Sequence, residues 1–236
     1  MKNYELVGIT RIRNEEAIIQ DTLDYYSFCD ALYVYDDAST DDTVKICKNH
    51  HKVKGLVEGK EWDINRPRAE WQNRQAVLNE ARKDKPTWII YFDADERIEY
   101  DFKGYQDYDG VIMKLFDYYI TEEDKDLSYH HRQWLGPECR NILMMFRNTP
   151  EVCYWCRDQR EATLKTGAKI LSAGYVKHYG KAVSIEQWEA TCEYYFQHFP
   201  AYSQKWLARK GKAIHTLSDW GRPLIKWDEK DKRGLC

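Results

Sequence analysis

The chain has 236 residues, 43% hydrophobic and 32% charged, with a net charge of -3. That length supports a sizeable core in one large domain, or at most two small ones, and the composition is that of a soluble globular protein rather than a disordered or fibrous one. The balanced charge gives no reason to expect nucleic acid as a partner. No window approaches the ~18 apolar residues of a membrane span, and the opening MKNYELVGITRIRNEE lacks the apolar run of a secretory signal, so a cytoplasmic protein is expected.

Glu5 to Thr10 (ELVGIT) is predicted as the first strand. Asn14 is placed to cap a helix whose first turn carries Glu15 and Glu16, with Ile19, Leu23 and Tyr26 recurring at helical spacing. Ala31 to Tyr35 forms a second strand, and DDASTDDT follows it with Ser39 and Asp42 in capping-box spacing before a helix through Val44 and Ile46. KVKGLVE is a third strand, RAEWQNRQAVLNEARKD a helix with Trp71, Leu78 and Ala81 on one side, and TWIIYF a fourth strand. Strands alternating with helices are the mark of βαβ units and a mostly parallel sheet, whose inner strands are covered on both faces.

After Asp109-Gly110 the pattern loosens. GVIMKLFDYYI and NILMMFRN read as strands flanking a polar loop, TEEDKDLSYHHRQWLGPE, and helical periodicity returns from Ser184 to Ser218. Residues 201–236 carry nine Lys/Arg against four Asp/Glu, interleaved with Trp206, Trp220 and Trp227. A solvated helix covering the domain is expected there, with peripheral contact to an anionic membrane surface as the alternative. Nine Trp and eighteen Tyr are ordinary core aromatics for the most part, and some of them suit a nucleobase or sugar pocket. Of the seven Cys only Cys153 and Cys156 form a C-x-x-C pair, and without a second pair neither zinc nor redox chemistry is expected.

Three strand ends carry the polar residues: Thr10 to Arg13, Asp36-Asp37, and Asp93 to Glu96. In an open α/β sheet, ligands bind beyond the carboxyl ends of the strands. Asp93 and Asp95, two apart on a turn, have the spacing to reach one hard divalent cation, which keeps one or two protein carboxylates while phosphate oxygens supply other ligands. A lone D-x-D is a weak signal. Its place after a buried strand, together with the second Asp pair, makes a metal-bound diphosphate the expected ligand. Arg11, Arg13, Arg66, Arg68 and Arg74 lie on segments that can reach the same rim, where a guanidinium fork matches phosphate geometry.

The stretches VGITRIRNEEAIIQDTLDYY, LYVYDDASTDDTVKI, QNRQAVLNEARKDKPTWIIYFDADERI and GYVKHYG resemble the family 2 glycosyltransferases of GT-A fold, closely over residues 4–100 and more loosely over 140–180. The resemblance implies an α/β, Rossmann-like, mostly parallel central sheet flanked by helices, with a helical C-terminal extension. Residues 1–200 would form the catalytic domain, 1–100 its nucleotide-binding half and 101–200 its acceptor half, with 201–236 as the extension. It implies inverting transfer of a sugar from a nucleotide-diphosphate donor, preferably a UDP-sugar, to a glycan or glycolipid hydroxyl, with Mn²⁺ or Mg²⁺ as cofactor. Carried over, it puts base and ribose near Thr10, Arg11, Arg13 and Asp36, extends the nucleotide site through Asp37, Arg68, Arg74, Asp93 and Ala94, and makes Asp93, Asp95 and His178 the metal set. The family's late His-Glu pair matches RDQREATL: Glu161 aligns with the carboxylate that serves as general base, and Arg160 replaces the histidine. Asp158 and Glu138 are rivals for that base, and a salt bridge from Glu161 to Arg157 or Lys165 is the structural alternative.

Two other classes are the alternatives. A nucleotidyltransferase of sugar metabolism usually carries a Gly-rich phosphate loop after its first strand, and ITRIRNEE has no glycine. A non-enzymatic carbohydrate-binding module suits the aromatic content but has no use for two acidic clusters at strand ends.

Overall fold

Short runs of β-branched and aromatic residues, punctuated by Asp- and Asn-rich turns, dictate a strand-helix alternation in the first half of the chain. A computed structural model describes residues 4–62, 70–155 and 160–229. It contains strand β1 (Leu6–Ile12), helix α1 (Ile19–Tyr25), strand β2 (Ala31–Asp36), helix α2 (Thr43–Asn49), strand β3 (Val53–Glu58), helix α3 (Glu70–Arg82) and strand β4 (Trp88–Tyr91). β1 lies parallel to both β2 and β4, and β3 is parallel to β2. The four strands therefore run in the order β3-β2-β1-β4, as a βαβ pattern demands. The chain divides into two compact units, the first comprising Met1–Ala94, Tyr100–Met113 and Ile142–Gly174, the second Asp95–Glu99, Lys114–Asn141 and Tyr175–Cys236.

In the first unit Val7, Ile9, Ala31, Ile89 and Tyr91 pack against Val77, Leu78 and Ala81 of α3, which explains the apolar stripe of that helix. Trp71 of the same stripe is only partly buried. Both predicted helix starts move inward for one reason. The Asn14 side chain accepts from Thr40 N at 2.8 Å and the Asn14 amide donates to Ser39 Oγ at 2.9 Å, so neither residue caps a helix. Asn14 takes a positive φ of 52°, and α1 begins only at Ile19. Glu16 similarly accepts from Asp42 N at 2.9 Å, and Asp41 Oδ1 takes the Thr43 amide at the start of α2.

The later strands are β5 (Glu96–Glu99), β6 (Gly110–Tyr118), β7 (Trp134–Arg147), β8 (Ile170–His178) and β9 (Ile225–Lys226). Within the first unit the end of β7 runs antiparallel to β4, pairing Trp88 with Arg147 and Ile90 with Met145. Within the second, β5 is antiparallel to β8 with Glu96 opposite His178, and β7 is antiparallel to β9. β6 bonds to β7 and to β8. The predicted polar loop at 121–138 is shorter than expected, because β7 already starts at Trp134. Its remaining polar groups fold around the buried Asp124, which accepts from Thr121 N, Thr121 Oγ1 and Gln133 N.

Helix α4 (Ile185–His198) starts where predicted: Ser184 Oγ caps it by accepting from Gln187 N at 3.1 Å. Its Trp188 and Cys192 pack with Ala213 and Trp206. Beyond it the helical periodicity yields only α5 (Ser203–Leu207). A positive φ of 75° at Gly211 ends the helical run, and Ile214 then bridges to Ile120. No helix among the described residues is long and apolar enough to cross a membrane.

Candidate active site

The carboxyl ends of β1 and β2 bring together the first group of predicted residues. Arg11 Nη2 lies 2.6 Å from Asp37 Oδ2 and 3.5 Å from Glu70 Oε1. Arg13 Nη1 donates to the carbonyls of Asp37 and Ala38 at 2.6 and 2.8 Å, with its guanidinium over the Trp62 ring. Both arginines thus shape the loop after β2. Asp36 Oδ2 accepts from Ser39 N at 3.0 Å. Its other oxygen, Asp36 Oδ1, and the hydroxyl of Thr10 are buried without a hydrogen-bond partner among the described residues, in residues 2% and 0% exposed. Buried polar atoms are normally paired, and leaving one unpaired costs about 1–3 kcal/mol.

Asp93 stands at the centre of a second group. Its Oδ1 accepts from Tyr91 OH at 2.9 Å and its Oδ2 pairs with Arg160 Nε at 3.0 Å. Tyr91 OH in turn accepts from Arg74 Nε at 3.1 Å, and Arg74 Nη2 pairs with Glu70 at 3.1 Å. The guanidinium of Arg160 also lies over the Tyr91 ring. Burial works against the charged form of Asp93, but Arg160 and Arg74 outweigh it and hold the carboxyl below its ordinary pKa. Burial raises the pKa of Tyr91, which stays a phenol able to donate. The carbonyl of Ala94 accepts from Thr22 Oγ1 at 2.5 Å, fixing the turn that follows.

A third group lies wholly within the second unit. Asp95 Oδ2 is 3.3 Å from His178 Nε2, and His178 Nδ1 is 2.5 Å from Asp117 Oδ1. Asp117 Oδ2 pairs with Lys181 Nζ at 2.9 Å, and Lys181 reaches Asp219 at 3.0 Å. Arg209 meets the same oxygen of Asp219 at 2.8 Å, and Arg140 meets Asp117 at 2.9 Å. Burial disfavours the imidazolium of His178, but Asp95 and Asp117 outweigh it and raise its pKa well above the ordinary value. Asp117 moves the opposite way: burial would raise its pKa, and His178, Lys181 and Arg140 drive it far down. A Cβ added at Gly180 would sit 2.7 Å from Asp95 Oδ2 and 2.9 Å from His178 Nε2, so glycine keeps that side of the pair clear. Among the described residues no three His, Cys, Asp or Glu side chains are grouped as a ready metal cage.

Other predicted residues are deployed differently. Glu161 is exposed, and its Oε1 accepts from Leu143 N at 2.5 Å, which ties it to β7. The salt bridge from Glu161 to Lys165 does not form, because Lys165 pairs with Asp109 at 2.8 Å. Glu138 accepts from Ser218 Oγ at 2.9 Å. Arg66, Arg68, Arg157, Asp158 and Cys156 lie outside the described residues. Sequence reasoning did not find Glu70, Tyr91, Asp117, Lys181 or Asp219, and treated Arg160 only as a substitution. The one visible signal was Asp117, a carboxylate inside the apolar run GVIMKLFDYYI.

A model of the family described as glycosyl transferase family 2 matches residues 9–160, more than half of the chain. The chain belongs to glycosyl transferase family 2. The family match spans the Arg11–Asp37 pair, the Asp93 network and Asp95, while His178, Lys181 and Asp219 follow it. Uncharacterized proteins of Mycobacterium tuberculosis and Mycobacterium bovis are each 32% identical over 102 residues, covering 41% of this chain and 24% of their own length. The chain thus spans about a quarter of the length of these curated relatives. Among solved structures, S. aureus TarS in complex with UDP is 16% identical at a TM-score of 0.46, covering 87% of this chain and 70% of that one. HddC from Yersinia pseudotuberculosis is 11% identical at a TM-score of 0.42, covering 81% of this chain and 99% of its own.

Proposed function

We propose that this family 2 chain is a glycosyltransferase that moves a sugar, with inversion, from a nucleotide-diphosphate donor to a hydroxyl of a glycan or glycolipid, and that the donor is a UDP-sugar. The observation that carries the reading is the pair of unpartnered buried atoms, Thr10 Oγ1 and Asp36 Oδ1, at the carboxyl ends of adjacent parallel strands. A hydroxyl and a carboxylate oxygen there suit the polar edge of a base and a ribose hydroxyl, in the position where open α/β sheets bind nucleotides.

The cofactor in this reading is Mn²⁺ or Mg²⁺. The fit rests on Asp95 and His178, whose oxygen and nitrogen donors face each other at 3.3 Å beside a glycine that no side chain can replace without striking them. When bound, the cation supplies charge stabilisation to the departing diphosphate. Asp93, already balanced by Arg160 and Tyr91, is assigned to the ribose side rather than to a share of the cation. Glu161 is the described carboxylate assigned to take the acceptor's proton, and its exposure leaves it open to an incoming hydroxyl.

The test is thermal unfolding of the chain with and without Mn²⁺ or Mg²⁺, across UDP, GDP, dTDP, CDP and ADP. A ligand at ~100 times its Kd adds about 2.7 kcal/mol, a clear shift of the midpoint. A metal-dependent shift with UDP alone is the expected result. No shift with any nucleotide would remove the diphosphate site from the reading.

A further inference from the structure

Asp117 is a costly residue where it stands. It interrupts β6 between Phe116 and Tyr118, both almost fully buried. The chain surrounds this one carboxylate with three basic side chains: His178 and Arg140 on Oδ1, Lys181 on Oδ2. Its oxygens are therefore spent on protein groups, which makes it a poor candidate for direct metal ligation. The same contacts suit it to orient a ligand.

We infer that Asp117 is a positioning residue, which holds His178 through Nδ1 and so aims Nε2, together with Asp95, at a divalent cation. The inference rests on the metal reading given above. A metal-binding histidine ordinarily donates its second ring N–H to a carboxylate or carbonyl, and that bond fixes both the tautomer and the ring plane. Here the Nδ1 proton goes to Asp117 Oδ1 at 2.5 Å, which leaves Nε2 on the side of Asp95, 3.3 Å away, where a bound cation would displace the Nε2 proton to solvent. Gly180 is a second, independent mark of the same arrangement: the atoms its missing side chain would strike are Asp95 Oδ2 and His178 Nε2, the two proposed donors. Lys181 anchors the outer oxygen of Asp117 and is itself held by Asp219, so the orienting carboxylate cannot swing away from the ring.

A structural ion pair between β6 and β8 would have the same contacts, and the experiment must separate the two. Binding of Mn²⁺ alone to the full chain, without nucleotide, is read by loss of the free-ion electron paramagnetic resonance signal. The variants are Asp95→Ala, Asp117→Ala, Asp117→Asn and Arg140→Ala, each with its metal-free unfolding midpoint. Expected is loss of binding in Asp95→Ala, a rise in Kd of about 10- to 100-fold in Asp117→Ala, and a smaller rise in Asp117→Asn, which keeps an oxygen for Nδ1. Arg140→Ala, which removes a largely exposed arm of the same cluster, should leave Kd unchanged. Should Asp117→Ala not fold, the near-isosteric Asp117→Asn carries the test.

Wild-type Mn²⁺ affinity in the Asp117 variants, alongside loss in Asp95→Ala, would overturn the positioning role and leave the metal reading standing. Mn²⁺ binding indifferent to Asp95→Ala, or no binding by the wild type, would overturn the metal reading and the inference with it.

Discussion

Asp93 and Asp95 stand two positions apart in FDADE, yet they meet opposite surroundings. Asp93 is bonded to Tyr91 and Arg160, with Arg74 behind them, so its charge is already answered by the protein. Asp95 has one imidazole beside it and a glycine where a side chain would intrude. The spacing of a D-x-D motif therefore does not make its carboxylates equivalent. The first is locked into a guanidinium network, and the second lies beside an imidazole and a glycine that keeps side-chain bulk away from it.

The comparison can be broken most forcefully at Asp95. Asp95→Ala should lower metal-dependent kcat by about 10²–10³-fold while shifting stability by less than about 1 kcal/mol, measured by UDP-sugar turnover and urea unfolding. Next in size is Gly180→Ala. Its new methyl would press on Asp95 and His178, so turnover should fall at least about tenfold, and overpacking should cost about 1–3 kcal/mol of stability. A Gly180→Ala variant with full activity would show that the clear space serves no ligand.

Arg160→Met sharpens the other half of the contrast through pH. Arg160 helps hold Asp93 below its ordinary pKa of 3.8, so the network contributes stability above that value and loses it as pH falls through the depressed folded value. Urea midpoints taken from pH 5 down to pH 2 should fall less steeply in Arg160→Met than in the wild type. Equal slopes would mean that Arg160 does not control Asp93. The smallest effect is expected from Asp36→Asn, which keeps the acceptor for Ser39 N but alters the buried atom proposed to face a nucleotide. The thermal shift given by UDP should shrink by about 1 kcal/mol, and the metal-free midpoint should hardly move.

Much of the fold was legible because it is local. Four parallel strands and α3 announce themselves by apolar runs and helical spacing, and Asp36, Asp93 and Asp95 are marked by following buried strands. What sequence reasoning missed depends on distant partners. Arg160 finds Asp93 across 67 residues, and His178 and Lys181 find Asp117 across 61 and 64. No period or spacing encodes such meetings. The helix starts failed for a related reason: Asn14 and Ser39 have capping chemistry, but each spends it on the other's loop.

That exchange between the loops after β1 and β2 bears on how this rim of the sheet moves. Asn14 and Thr40, Asn14 and Ser39, Glu15 and Thr43, Glu16 and Asp42, and Glu16 and Asp41 are joined by reciprocal bonds from one loop to the other. Neither loop can open while the other stays shut. The amides of Asn14, Glu15, Glu16, Thr40 and Asp42 should therefore exchange with solvent deuterium as one cooperative unit, with a common opening free energy. A donor that enters past these loops would meet a single door rather than two independent flaps.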